Sequence, residues 1–381
     1  MHRKKILWLA SWYPNRNDWF DGDFIQRHAR AVAIYHDVHV IFVTEAGIEN
    51  AIEEEWNYAT GLTEQIIYFK KTNGFLSRIR KQLSWRNIFQ KAVEKYIDKN
   101  GTPDHIHVHV PWKAGLIALW VKKKYGIDFI VTEHWGIYNE VVEDNFYRKP
   151  VITQNLLKKI FSEAKGFVSV SRYLAEGVRK IVGKEVDAII PNVVDTTLFF
   201  HKDEKYSKFT FTHVSNMVPL KNVKGILDAF KEVSQKNSEL QLILIGNRND
   251  EYVNYAANLG LLNSAVFFRG EISYREVAEE MQRSHCFILN SVMENSPCVI
   301  GEALCCGLPV IATNVGGIPE LLNDTNSMLV SASDTMALSK AMEDVIRNYS
   351  FNQNQISEEA SKKCGYSAIA AAFDSFYNRQ P

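Results

Sequence analysis

Two glutamates separated by small and apolar residues are the strongest candidates for chemistry in this chain. Glu294 and Glu302 stand in the segment ENSPCVIGEALCCG, with Pro297 between them. A proline favours the first position of a helix, so Glu294 is predicted in the preceding loop and Glu302 in the second helical turn. Glycoside hydrolases need two carboxyl groups about 5–9.5 Å apart, and nothing in the sequence sets that distance. Carboxylates also accept paired hydrogen bonds, so a clamp on sugar hydroxyls fits better than an acid–base pair.

The starts of two predicted helices could hold an anion. Ser296 is a suitable N-cap, Pro297 a suitable first residue, and Gly307 a suitable terminator for a helix of about ten residues. Lys221 lies just before a second predicted helix, over about residues 223–236. Free N–H groups at both starts, together with the lysine charge, would cradle a diphosphate without a glycine-rich loop. The plain alternative is that Lys221 is an ordinary surface lysine.

Composition limits the class of protein. The chain has 381 residues, of which 46% are hydrophobic and 23% charged, as expected for about two globular domains. Lys plus Arg and Asp plus Glu both number 44, so no overall field favours nucleic acid. The five cysteines have neither zinc-site nor disulfide spacing, which indicates free thiols and a cytoplasmic protein. The sequence has no apolar run long enough to predict a membrane span.

Short apolar runs alternate with segments of helical period, which predicts an α/β protein with parallel sheets. The predicted strands are Ile6–Ala10, Val38–Val43, Ile66–Phe69, His105–Val110, Phe129–Thr132, Phe167–Val170, Ala188–Ile190, Phe209–Val214, Leu240–Ile245, Val266–Phe268, Cys286–Leu289, Val310–Ala312 and Met328–Val330. One sheet of that size is improbable, so two Rossmann-like domains are predicted, over residues 1–193 and 194–365. A C-terminal helix over residues 366–381 could pack back on the first domain.

Two such domains that face each other would place a ligand cleft at the carboxyl ends of their strands. The sequence lacks the motifs of the two commonest nucleotide-binding sites, the dinucleotide site and the phosphate-binding loop. No G-x-G-x-x-G dinucleotide fingerprint occurs among the 20 glycines, and no phosphate-binding G-x-x-x-x-G-K-[ST] loop is present.

Several motifs together resemble one enzyme family. The stretch from Glu294 to Glu320 resembles the E-x7-E signature of the retaining, nucleotide-sugar-dependent glycosyltransferases of family four, which have the GT-B fold of two facing Rossmann-like domains. SWYPNRNDWFDGDF is similar to the loop after the first strand of that family. PDHIHVH, TEHWG, SVSRYL and IIPNVVDTTLF resemble further segments, so the resemblance covers nearly the whole chain.

The resemblance implies a donor site in the second domain. Glu294 would contact hydroxyls of the donor sugar, Glu302 would hold the ribose diol, and Lys221 would neutralise the diphosphate. The family places three further backbone positions beside the sugar, namely Asn295, Ser296 and Pro297.

The resemblance also implies roles outside that segment. The nucleobase would be read by the backbone of RGEI, with Arg269, Gly270 and Ile272. In the first domain, which would bind the acceptor, His134 matches a catalytic histidine near the donor sugar and the reaction centre. Gly22 matches a glycine where the first loop approaches the phosphates.

One position departs from the family pattern. SNMVPLK puts Asn216 where the family usually has an arginine that pairs with the lysine on the phosphates. Asparagine can donate hydrogen bonds but carries no charge. The second cation of the family pattern is missing, so phosphate affinity, donor choice or activity would differ from what the resemblance implies.

The reaction implied by the resemblance moves a sugar from a UDP- or GDP-sugar to an acceptor hydroxyl with retention of anomeric configuration. The acceptor would be a saccharide, a lipid-linked molecule or a small molecule, in synthesis of a cell-surface polysaccharide or glycoconjugate. Neither a metal nor another cofactor is expected. The alternatives are a catalytically weak sugar-nucleotide-binding protein, which Asn216 favours, and another GT-B enzyme such as a UDP-sugar 2-epimerase.

Two further features have open interpretations. His105, His107 and His109 alternate on one strand, so they could share a metal ion, satisfy local hydrogen bonds or, for His109, contact the acceptor. Residues 75–96 are basic and amphipathic, which suits either a surface helix or peripheral contact with the inner face of a membrane.

Overall fold

Fourteen strands and twelve helices alternate in the part of the chain that the computed structural model describes, residues 3–71 and 77–379. The strands are β1 (Lys5–Ala10), β2 (Asp37–Ala46), β3 (Ile52–Ala59), β4 (Leu62–Lys70), β5 (His105–His109), β6 (Phe129–Glu133), β7 (Gly166–Ser169), β8 (Ala188–Ile189), β9 (Phe209–Val214), β10 (Leu240–Ile245), β11 (Val266–Gly270), β12 (Cys286–Leu289), β13 (Val310–Thr313) and β14 (Ser327–Val330). The helices are α1 (Asp23–Val32), α2 (Ser77–Asn100), α3 (Ala114–Tyr125), α4 (Val151–Glu163), α5 (Arg172–Val182), α6 (Val223–Ser234), α7 (Asp250–Asn258), α8 (Tyr274–Arg283), α9 (Cys298–Cys305), α10 (Thr335–Arg347), α11 (Gln353–Cys364) and α12 (Tyr366–Arg379). They form two units, one of Met1–Val193 with Tyr366–Pro381 and one of Val194–Gly365.

The first unit has an eight-stranded sheet in the order β3-β4-β2-β1-β5-β6-β7-β8. All neighbouring strands are parallel except β3 and β4, which are antiparallel. Successive side chains of a strand point to opposite faces, so Leu7 joins the core beneath α2 while Trp8 joins the core beneath α1 and α12. The C-terminal helix α12 therefore packs within the first unit, where Phe373 and Tyr377 are fully buried.

The second unit has a six-stranded parallel sheet in the order β11-β10-β9-β12-β13-β14. Helices α6 and α10 contribute to the core on one face, and α9 and α11 contribute to the core on the other. Both faces are covered, which explains why strands such as β12 are apolar at every position. In parallel sheets of this kind, ligands bind at the carboxyl ends of the strands.

The predicted α/β class with two mainly parallel sheets is confirmed, and every predicted strand is present. Only β3 was missed, because its sequence IEEEWNYA contains three consecutive glutamates and lacks a buried apolar run. That pattern is typical of an edge strand, and β3 is the edge of its sheet. Among the described helices, none combines the length and apolar composition needed to cross a membrane.

Candidate functional site

The helix that carries Glu302 begins later than predicted. Pro297 is extended (φ −69°, ψ 118°) and is the N-cap of α9, so the predictions of Ser296 as N-cap and of Pro297 as the first helical residue were wrong. The physical reason is that Pro297 keeps extended backbone, so that its carbonyl oxygen, which accepts from Ile300 N at 3.3 Å, takes the first hydrogen bond of the helix. The predicted end is confirmed. Gly307 has φ 76°, its N–H donates to Leu304, and the next N–H donates to Ala303, at 2.9 and 3.0 Å.

Glu294 lies in the loop before α9 and is paired with the predicted phosphate lysine. Lys221 Nζ donates to Glu294 Oε1 at 2.5 Å, and Ser291 Oγ donates to the same oxygen at 2.7 Å. The side chains of Lys221 and Glu294 are only 19% and 11% exposed. Without a ligand the lysine charge is therefore neutralised, and an incoming anion would meet an ion pair rather than a lone cation.

The backbone at Glu294 depends on a glycine further along the chain. Gly317 N donates to the carbonyl oxygen of Glu294 at 3.0 Å. A Cβ at Gly316, whose φ is 57°, would lie 1.9 Å from that same oxygen. Any side chain there would displace the Glu294 loop, which gives the NVGG segment its structural role.

Glu302 is buried and is held by a residue that the sequence analysis missed. Tyr274 Oη donates to Glu302 Oε1 at 2.5 Å, and the glutamate is 3% exposed. Tyr274 is the first residue of α8, whose start is fixed by a capping box between Ser273 and Glu276. The S-x-x-E pattern in SYRE could have located this helix start, but nothing in the sequence linked Tyr274 to Glu302.

The start of α6 is joined to the loop that follows β12. Lys221 ends a 3-10 turn, and Asn222 follows in the left-handed region with φ 47°. Asn290 Nδ2 donates to the carbonyl of Asn222 at 3.4 Å, and Val292 N donates to the carbonyl of Leu220 at 2.8 Å. These bonds place Lys221 beside Glu294, so the second unit brings together the residues predicted to hold a diphosphate and a sugar.

The remaining predicted donor residues lie at the ends of β9 and β11. Asn216 is exposed in the loop after β9, so no charged side chain occupies the position of the family's arginine. Arg269 forms an ion pair with Glu280 at 3.2 Å, which directs its side chain along the unit's own surface. Gly270 has φ 70°, and its carbonyl accepts from Gly246 N at 3.0 Å. Ile272 follows in the partly buried stretch before α8.

In the first unit, Gly22 is required by packing within its own loop. It is the N-cap of α1 with φ 64°, and a Cβ there would lie 2.6 Å from the carbonyl carbon of Trp12. This contact explains the glycine without reference to a ligand. Its predicted approach to phosphates stays a prediction.

His134 follows β6 and is positioned by a buried acid that the sequence analysis did not single out. Glu133 Oε1 accepts from the backbone N–H groups of His134 and Trp135, both at 2.8 Å. Its other oxygen accepts from Tyr138 Oη at 2.5 Å. Burial raises the pKa of Glu133 to about 7, although these hydrogen bonds favour the charged form.

Three buried histidines converge at the carboxyl ends of β5 and β6. His28, His109 and His134 each bring one ligand atom within 4.8 Å of the others, and His109 Nδ1 lies 3.3 Å from His134 Nε2. Burial lowers the pKa of His28 to about 4 and holds the pKa values of the other two well below the ordinary value. Neutral imidazoles can bind a metal or exchange hydrogen bonds with a polar ligand.

The alternating histidines of β5 do not form the metal set that their spacing allowed. Both nitrogens of His107 are engaged, by Tyr377 Oη and by Thr132 Oγ1, each at 2.6 Å. His109 alone reaches the three-histidine group, whose other members come from α1 and from the end of β6. The three histidines are brought together by the fold from α1, β5 and the end of β6, and not by alternation along β5.

Two family models match the chain. Glycosyltransferase Family 4 matches residues 24–198, and Glycosyl transferases group 1 matches residues 195–363. The putative teichuronic acid biosynthesis glycosyltransferase TuaC of Bacillus subtilis is 21% identical over 401 aligned positions, which cover 98% of this chain and 96% of TuaC.

Solved structures share the fold. Sucrose-phosphate synthase of Thermosynechococcus elongatus has a TM-score of 0.77 at 17% identity, with 99% of each chain covered. HepE of Anabaena, in complex with UDP-glucose, has a TM-score of 0.73 at 16% identity, with 99% of this chain and 100% of HepE covered. The predicted GT-B fold is confirmed by these likenesses.

Proposed function

Because the chain belongs to the glycosyltransferases that these two family models describe, we propose that it transfers a sugar from a nucleoside-diphosphate sugar to an acceptor hydroxyl with retention of configuration. The observation that carries this proposal is the arrangement in the second unit. Lys221, just before α6, is paired with Glu294 in the loop before α9, and Glu302 is held in the second turn of α9. That set offers a cation, helix N-termini and two carboxylates, which are the groups that a sugar nucleotide requires.

Each part of the donor has a proposed partner in the second unit. Lys221 and the N–H groups at the starts of α6 and α9 hold the diphosphate, and Glu302 accepts from the ribose hydroxyls. Glu294, with the backbone of residues 295–297, accepts from hydroxyls of the transferred sugar. The backbone at Gly270 and Ile272 reads the base. UDP is the first nucleotide to test, since HepE was solved with UDP-glucose.

The proposed chemistry is a front-face displacement. The bond between the anomeric carbon and the diphosphate oxygen breaks while the acceptor oxygen bonds to the same face of that carbon, and a phosphate oxygen takes the acceptor proton. The protein contributes orientation and stabilisation of charge on the leaving diphosphate. Lys221 supplies that positive charge, so we expect a chelator to leave transfer unchanged. If the chelator abolishes transfer, the three-histidine group is the first place to look for a metal.

The first unit is proposed to bind the acceptor, with His109 as the contacting group, and His134 is proposed to act at the reaction centre. By analogy with TuaC, whose name assigns it to teichuronic acid biosynthesis, the acceptor would belong to a cell-surface polysaccharide or glycoconjugate. Such synthesis starts in the cytoplasm, where we place the protein.

A lipid-linked acceptor would bring α2 to the inner face of a membrane. Of the basic stretch 75–96, residues 75 and 76 lie outside the described residues. Further along, Ile79 and Leu83 are 58% and 55% exposed, four positions apart on one side of the helix. Lys81 is paired with Glu45, so the exposed Arg80 is the better target for charge reversal. Arg80→Glu should reduce flotation with anionic vesicles, and unchanged flotation would exclude an electrostatic contact through this residue.

The second candidate is a sugar-nucleotide-binding protein with little catalysis. Two observations favour it, because Asn216 carries no charge and the charge of Lys221 is already neutralised by Glu294. A thermal-shift panel of nucleotides and nucleotide sugars, followed by assays of transfer and donor hydrolysis, separates the two candidates. Transfer or slow hydrolysis marks the enzyme, whereas stabilisation without turnover marks the binding protein.

Two substitutions test the residue assignments. Glu302→Ala should weaken nucleotide binding itself, whereas Glu294→Ala should chiefly impair sugar transfer. Glu358→Ala, at an exposed site on α11, is the matched control. If both site variants bind donor and turn over like the wild type, the assignment is wrong.

A further inference from the structure

A groove of about 350 Å³ lies where the edge strand β3 meets the end of α2. Its walls include Trp56, Tyr58, Glu54, Gln65, Lys95 and Lys99. Thr63, which also lines it, is near the start of β4, so the groove is at the amino ends of the parallel strands. The three-histidine group lies at the opposite, carboxyl edge of the same sheet. The groove is therefore separate from the acceptor contacts proposed for the first unit.

Two exposed aromatic rings line the groove. Trp56 and Tyr58 are 39% and 73% exposed, and both point to the same face because they are two positions apart on a strand. Their ring planes differ by 8°, and the ring centroids are 6.2 Å apart. The rings of His39 and Trp56 lie nearly perpendicular at a centroid distance of 5.8 Å, and this contact restricts the indole. The pair thus offers firm apolar faces to solvent.

Polar groups form a connected row beside the rings. Glu54 Oε2 accepts from Trp56 Nε1 and from Gln65 Nε2, both at 3.2 Å. Gln65 Oε1 lies 3.2 Å from His39 Nε2, and Lys95 Nζ lies 3.7 Å from Glu54 Oε1. Groups held in this way can donate to and accept from several hydroxyls at once.

We propose that this groove is a non-catalytic binding site for a neutral oligosaccharide, the glycan on which the enzyme acts. A pyranose ring has an apolar C–H face and an equatorial rim of hydroxyls, and the groove pairs exposed aromatic faces with a row of carboxylate, amide and ammonium groups. The identity of the glycan rests on the proposed function, but the existence of the site does not. If the protein holds a distant part of the glycan, the local concentration of the glycan's growing end at the enzyme rises.

The acidic side chains of β3 are already paired with basic ones. Arg16 pairs with Glu53 at 2.8 Å and with Glu55 at 3.4 Å, and Lys95 pairs with Glu54 at 3.7 Å. A ligand that binds through its charge would have to compete with these pairs, whereas a neutral, hydroxyl-rich ligand can bind beside them.

The test measures binding without any donor. The full chain is titrated by calorimetry with maltohexaose, cellohexaose and chitohexaose, and at least one should bind. The double variant Trp56→Ala, Tyr58→Ala should weaken that binding about tenfold or more. Trp56→Phe keeps an aromatic face and should bind within about threefold of the wild type, which guards against a folding artefact. Tyr147→Ala, which removes a 58% exposed ring elsewhere in the first unit, is the matched control.

Three results would overturn the inference. The first is the absence of binding to all three hexasaccharides, and the second is equal binding by the double variant and the wild type. The third is loss of binding in Glu302→Ala, which would show that the glycan binds at the donor site. Two alternative occupants have their own readouts. A membrane surface would give binding to anionic vesicles that depends on Trp56, and a second copy of the chain would give a dimer that depends on Trp56. Transfer activity without glycan binding would reject this site alone, whereas glycan binding without transfer would reject the proposed function alone.

Discussion

Replacing Glu294 by glutamine should separate nucleotide binding from sugar transfer. The substitution preserves the shape of the side chain, and its amide oxygen can still accept from Ser291 Oγ, now 2.7 Å from the carboxylate. It removes the negative charge that lies 2.5 Å from Lys221 Nζ. The lysine would then present an unneutralised charge to the diphosphate. We therefore expect Glu294→Gln to bind UDP more tightly than the wild type while it transfers sugar more slowly.

The size of the effect follows from the charge removed. At roughly 5 Å and an effective dielectric constant of about 20, one phosphate charge and the Glu294 carboxylate repel each other by about 3 kcal/mol. Both side chains of the pair are partly exposed, at 19% and 11%, so water and salt reduce this repulsion. We expect a gain of about 1 kcal/mol, or about fivefold in the Kd for UDP. The free protein should lose about 1–2 kcal/mol of stability, because Lys221 is left without its carboxylate partner.

Calorimetric titration with UDP at low and high salt measures the first effect, and thermal melts with and without UDP measure the second. Ser291→Ala is the matched control, since it removes a hydrogen bond to Glu294 but keeps the charge, and it should not tighten UDP binding. Single-turnover transfer should fall in Glu294→Gln. If Glu294→Gln weakens UDP binding as much as Lys221→Gln does, the ion pair does not compete with the diphosphate and the reasoning fails.

Three other substitutions test neighbouring parts of the two sites. Tyr274→Phe removes the hydrogen bond to Glu302 and should weaken UDP binding by about 1 kcal/mol in calorimetry, so unchanged affinity would show that the carboxylate needs no such support. Asn216→Arg should tighten UDP binding a few-fold at low salt, with the gain lost at high salt, and an equal gain at both would argue against an electrostatic cause. The pKa of Glu133, about 7, is raised above its ordinary value of 4.5, so its stabilising contribution is complete below about pH 4.5 and is lost as the pH rises through 7. We therefore expect the free energy of unfolding of Glu133→Gln, measured in urea, to rise relative to that of the wild type by up to about 3 kcal/mol between pH 5 and pH 8. A difference between the two proteins that does not change with pH would refute the assignment.

The fold could be predicted because buried parallel strands are apolar at successive positions. Runs such as Ile6–Ala10 and Cys286–Leu289 stand out from their polar surroundings, and both are buried strands. Strand β3 lacks that signal, because an edge strand next to solvent carries Glu53, Glu54 and Glu55. The boundary of α9 was missed by one residue, because Pro297 keeps extended backbone and its carbonyl oxygen accepts the first hydrogen bond of the helix.

The candidate donor site could be predicted in its residues but not in its contacts. Glu294, Glu302 and Lys221 carry charge in otherwise apolar or helix-starting segments, which makes them visible in the sequence. The pairing of Lys221 with Glu294 joins residues 73 positions apart, so only the fold could reveal it. Tyr274 and Ser291 carry no charge and match no motif, yet each fixes one of the two carboxylates.

The two units differ in the kind of polar group that they offer, and the difference suits the two halves of a transfer reaction. The second unit holds Lys221 and Glu294 as an ion pair, and the lysine is the group proposed to stabilise the negative charge on a departing diphosphate. The first unit holds His28, His109 and His134 in a buried group, where desolvation keeps the imidazoles neutral. Neutral imidazoles can donate to or accept from a hydroxyl without carrying a charge of their own. In the proposed transfer the acceptor hydroxyl stays neutral until its proton passes to the leaving phosphate, so neutral imidazoles are the kind of group that we expect to bind it.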